Sequence, residues 1–117
     1  MHLSLEQVLA LAPDANSAAA ARQLGTPESW QNLGANGDAY WGECQGTALY
    51  QVRVARPDLV AKCTCPSRKV PCKHALGLLA LAATAPDALT ATEPPEWVME
   101  WLVRRGESAN RRARMDP

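Results

Sequence analysis

Apolar positions at the start of the chain recur at helical spacing, with Leu5, Val8, Leu9 and Ala12 on one face. Ser4 and Gln7 read as a capping box at its start, the serine accepting from the backbone while the glutamine reaches back. Pro13 closes this first helix. Asp14 can cap a second, which runs through the alanine tract 18–21 to Leu24 and stops at Gly25. Together they predict a helical hairpin over about 3–25. From Thr26 to Tyr40 turn formers dominate (Pro27, Gly34, Asn36, Gly37, Asp38), so an irregular segment is expected, pinned by Trp30 and Leu33. After Tyr40 the period changes to two. Trp41–Gln45, Ala48–Ala55 and Leu59–Cys65 then predict a small three-stranded antiparallel meander, with Tyr50, Val52 and Val54 on one face and a turn at Pro57-Asp58.

Helical spacing returns from Cys72 to Ala83, where Leu76, Leu79 and Ala80 or Ala83 line one side. Residues 85–95 form a connector with three prolines, and a last helix over about 95–106 carries Trp97, Val98, Trp101 and Leu102 as an apolar stripe. Beyond 107 the chain is polar and Arg-rich and reads as the start of a linker, so the gene product is expected to continue. Residues 1–117 are expected to make one small α+β domain.

Composition refines this picture. Alanine supplies much of the 47% hydrophobic content and phenylalanine is absent, leaving a thin core of small residues, Leu, Val and four Trp. A thin core calls for a staple. Net charge is zero and the pI is about 6.7, well below the value of about 9 that marks nucleic-acid binding by charge alone. Neither a signal peptide nor a bilayer-length apolar run is visible, so a cytoplasmic, non-membrane protein is expected.

One stretch names a chemistry. Cys63, Cys65, Cys72 and His74 form two tight pairs separated by six residues. Without a secretion signal, such soft ligands read as a metal site in a reducing compartment, and Cys3His suits one structural Zn2+. Residues two apart on a strand face the same way, so Cys63 and Cys65 can point at one ion, and Pro66 ends the strand. Two residues apart on a helix are separated by about 200°. Cys72 should therefore precede the helix, with His74 in its first turn. Four protein ligands leave no position for a reacting water. No triad, P-loop or paired-carboxylate site appears either, so no enzyme and no small-molecule substrate are expected.

The spacing C-x-C-x6-C-x-H followed by an apolar helix resembles the SWIM zinc finger, most strongly over about 48–83. That resemblance implies a ββα core over about 40–83, with Cys63, Cys65, Cys72 and His74 as zinc ligands and flanking N- and C-terminal helices. The wider text (5–8, 30–34, 41–46 and 65–69) is similar to a bacterial SWIM group. Its members tend to be longer and to be encoded near MoxR-type AAA+ ATPases and von Willebrand factor A-domain proteins. The implied partner is one of those proteins.

Arg53, Arg56, Lys62, Arg68, Lys69 and Lys73 surround the zinc segment, with Asp58 as the lone nearby acid. They could bind phosphates or a partner protein. Some would simply balance the site, since three thiolates and Zn2+ leave about minus one. Trp97 and Trp101 read as a packing stripe, with a partner groove or base stacking as the alternative. Arg104, Arg105, Arg111, Arg112 and Arg114 read as a solvated helix end. Cys44 reads as a small buried residue and His2 as disordered. The expected function is non-catalytic recognition. Neutral charge and the lack of an interleaved aromatic–basic stripe favour a protein-interaction adaptor; DNA or RNA binding through the basic knuckle is the alternative, and a thiol redox switch at Cys63 and Cys65 the third.

Overall fold

The computed structural model describes residues 3–115, with side chains as far as Gly106. Two short helices open the chain: α1 (Leu5–Ala10) and α2 (Ala15–Leu24). Ser4 Oγ accepts from Gln7 N at 3.1 Å and Gln7 Oε1 accepts from Ser4 N at 2.9 Å, closing the capping box. Asp14 caps α2 by accepting from Ser17 N at 2.7 Å.

The three-stranded antiparallel meander expected from the sequence is not what forms. A five-stranded mixed sheet takes its place, accompanied by four helices. Its strands are β1 (Trp30–Ala35), β2 (Ala39–Gln45), β3 (Leu49–Ala55), β4 (Ala61–Cys63) and β5 (Thr90–Ala91), in the order β4-β3-β2-β1-β5. The extra strands have separate causes. Asn36 Oδ1 accepts from the N–H groups of Asp38 and Ala39, at 2.8 and 2.9 Å, so these turn formers are spent on one tight hairpin. Residues 30–35 are thereby free to pair with β2. A bulge after Gln31, with Asn32 in the left-handed region at φ 53°, hides their alternation. The connector, for its part, contributes β5, which pairs parallel to β1 through Gly34–Thr90 and Ala35–Ala91. β4 is shorter than expected because Leu59, at φ 60°, lies in the preceding turn.

Helix α3 (Lys73–Thr84) is buried along its whole middle, from His74 to Ala82. One side packs on α1 and α2. The other meets the sheet face carrying Trp30, Cys44, Val52 and Val54. Alternate residues of the strands build a second, smaller cluster on the opposite face: Ala39 and Trp41 pack with Val98, Trp97 and Leu102 of α4 (Glu96–Met115). α4 thus continues past Gly106, where the sequence suggests a linker.

α3 approaches α2 closely at Gly77, where a Cβ would lie 2.6 Å from Leu24 Cβ, an atom that cannot rotate away. Alanine at 77 gains about 1 kcal/mol in helix propensity. It also forces the two helices apart, an overpacking cost of about 1–3 kcal/mol. Gly77→Ala should therefore lower the denaturant midpoint, whereas the same change at an open helical site would raise it.

Candidate metal centre

β4 ends at Cys63, whose Cα is registered with that of Val52, and the chain turns away past Cys65 and Pro66. Residues 66–72 return as an irregular knuckle. Cys72 is the N-cap of α3, its Sγ accepting from Ala75 N at 3.4 Å, and His74 is the second residue of that helix. Placing Cys72 just outside the helix removes the 200° problem and lets both residues face the strand end. The four ligand atoms lie within 4.8 Å of one another, and Cys63 Sγ is 3.7 Å from His74 Nδ1. Zn–S and Zn–N bonds in a tetrahedron put neighbouring donors about 3.5–3.8 Å apart. The donor set therefore fits that ion with little movement. Tyr50 packs against the imidazole, ring centroids 4.7 Å apart.

The thiols already act on one another. Cys72 is held down to about 4 by the Cys63 thiol hydrogen-bonded to it, helped by His74 and the Ala75 N–H. Cys63 is pushed up by donating that hydrogen bond and by burial. One thiolate is thus stabilised at the helix start, a ready first ligand for a cation. Cys44 lies elsewhere, 1% exposed in the main core, with its pKa raised by burial.

The basic residues separate into three kinds. Arg53 is buried, its guanidinium over Trp97 and Trp101 at 5.5 and 5.9 Å, and its Nε and Nη1 have no hydrogen-bond partner among the described residues. The guanidinium lies within cation–π reach of both indoles, an attractive arrangement for a desolvated cation. Arg56 and Lys69 are engaged locally. Arg56 donates to Asn36 O at 2.6 Å and lies over Tyr40, while Lys69 pairs with Asp14 at 2.6 Å. Lys62, Arg68 and Lys73 are exposed and form no ion pair among the described residues. Asp58 pairs with Arg105, which also lies over Trp101. Arg104 is exposed; His2 and the side chains of Arg111, Arg112 and Arg114 fall outside the described residues.

Two grooves flank the knuckle. The larger, about 580 Å³, lies between α2, the β2–β3 turn and the start of α3; Tyr50, Lys69, Lys73 and His74 line it. The smaller, about 290 Å³, runs along β4 and is closed by Trp101. Sequence reasoning missed the first because its walls (Asn16, Thr47, Lys73) meet only through the tertiary fold.

A closed donor quartet clamping a strand end to a helix start defines a structural metal-clip domain, and its donor set is consistent with structural zinc. Residues 50–83 match the family model of the SWIM zinc finger. With the Cys3His cluster inside it, that segment is a SWIM-type zinc finger whose donors suit structural zinc, a class that is generally non-catalytic. No curated protein and no solved structure matches the chain. Among the described residues, no helix is long and apolar enough to cross a membrane.

Proposed function

We propose that the chain is a non-catalytic recognition module. Cys63, Cys65, Cys72 and His74 hold one structural Zn2+, and the knuckle between them is offered to a protein partner. The make-up of the knuckle carries this reading. Val70 is 80% exposed there, with Arg68 unpaired on the same loop and Lys62 and Lys73 unpaired on the strand and the helix that bound it. An apolar side chain among cations suits an acidic protein segment with an aliphatic residue of its own, because both contacts are then used. A phosphate backbone would use only the charges. Burial of Arg53 and the local engagement of Arg56 further reduce what is left for phosphates. The bacterial SWIM resemblance makes a MoxR-type AAA+ ATPase or a von Willebrand factor A-domain protein the first partners to try. Three cysteines gathered at the metal centre and a buried Cys44, none in a disulfide, suit a reducing cytoplasm.

DNA or RNA binding is a second reading, supported by Arg68, Lys69 and Lys73 lying close together along the chain. The two are separated by titrating the zinc-loaded chain with each candidate protein, and with duplex and single-stranded DNA at two ionic strengths. Protein binding that weakens on Arg68→Ala and Val70→Ser, with no DNA binding, is the expected result. DNA affinity falling with salt at a log–log slope near −0.9 per phosphate contact, with no protein binding, would move the function to nucleic acid.

A further inference from the structure

His74 is 6% exposed, its Nδ1 lies 3.7 Å from Cys63 Sγ, and the ring also hydrogen-bonds the Cys72 sulfur. With Nδ1 on the metal side, the ring proton belongs on Nε2. Metal-bound imidazoles almost always donate that proton to a carboxylate, a backbone carbonyl or water, which fixes the ring and raises its basicity as a ligand. No described residue accepts it. The ring instead forms part of the wall of the 580 Å³ groove, and no acidic residue lines that groove. Lys73 lines it without an ion pair, and Lys69 stands at its edge with only Asp14 as counter-charge. The volume is within the range of about 300–1,000 Å³ typical of ligand sites.

We infer that this groove receives an acidic side chain from the protein partner, its carboxylate accepting from His74 Nε2 and pairing with Lys73. The inference rests on the protein-recognition reading above and makes it specific. A partner carboxylate would complete the outer shell of the zinc site, so occupancy of the groove and grip on the metal reinforce each other. Ala20, Pro66 and the Tyr50 ring supply apolar wall between the polar groups, a lining suited to a peptide rather than to a bare phosphate.

The test uses the full zinc-loaded chain with 15N-labelled histidine, whose only two histidines are His2 and His74. The probe is a hexapeptide of alternating glutamate and alanine; its glutamine counterpart, inorganic phosphate and a single-stranded oligonucleotide are the comparisons. A saturable shift of the His74 Nε2 signal is expected with the glutamate peptide. Binding should weaken about tenfold or more with the glutamine peptide, and similarly in Lys73→Gln, since each loses a charged hydrogen bond. Zinc stoichiometry of one in Lys73→Gln shows that the variant is folded. An unmoved His74 signal overturns the inference. So does tighter binding of phosphate or oligonucleotide than of the glutamate peptide, which gives the groove to nucleic acid. Partner binding that depends on Arg68 and Val70 can survive either result, so the broader reading fails separately.

Discussion

Chelating the metal should abolish cooperative folding of the strand–knuckle–helix region and lower the midpoint of thermal unfolding steeply. Structural zinc contributes roughly 10–16 kcal/mol in small zinc modules, against about 5–15 kcal/mol for the whole stability of an ordinary domain. Little else holds this part of the chain. β4 has three residues, and the ion pair on the knuckle after it, Lys69–Asp14, is exposed to solvent and so holds the loop only weakly. Amide exchange should rise first over 61–76, then through α3, whose buried middle carries the core. Cys72→Ser and His74→Ala should each reduce bound zinc below one per chain and reproduce the chelated state. Acidification acts in the same direction. Protons compete with the ion for three thiolates. Even without metal, the Cys72 thiol, held down by the hydrogen bond from Cys63, adds stability that is lost on acidification through its lowered pKa, while the Cys63 thiol, raised by the same bond, withdraws stability above about pH 9. Chelated protein that unfolds at the same temperature as the zinc-loaded protein would falsify the metal-clip reading.

The clip was legible in the sequence because everything that specifies it is local. Two cysteines at strand spacing, a proline to stop the strand, and a Cys-x-His pair astride a helix start are decided within twelve residues. Helix caps are legible for the same reason: Ser4, Gln7 and Asp14 bond to backbone three residues away. β1 and β5 depend on distant partners. Gly34 joins the sheet because Trp41 lies across it and Thr90 returns beside it, and neither fact has a signature near residue 34. Arg53 misleads in an instructive way. An arginine alternating with Val52 and Val54 reads as the solvent face of a strand, and only the indoles of α4 turn that position into interior. The grooves beside the knuckle follow from the same long-range assembly.

Trp41→Ala should be the most damaging single change on the α4 side of the sheet, at about 3–5 kcal/mol. Trp41 is 2% exposed and is the largest buried side chain of that cluster among the described residues, where it packs with Ala39 and Val98. Its indole also lies against Gly34, so close that a Cβ there would come within 2.5 Å of the ring. Deleting it opens space between the sheet and α4 that neither Gly34 nor Ala39 can fill. Among the described residues, the remaining hold on α4 is then Val98, the partly buried Trp97 and Leu102, the Arg53–indole contacts and the partly exposed Arg105–Asp58 pair. That is too little to keep a long helix docked, because Arg53 itself is tolerated in the interior only while the indoles cover it. Amide exchange should therefore rise along α4 and the fluorescence of Trp97 and Trp101 should shift toward that of solvated indole. Zinc stoichiometry should stay at one, since Cys63 and His74 belong to the α3 side of the sheet. A loss below about 1 kcal/mol with α4 still protected would mean that the helix is held by something other than Trp41.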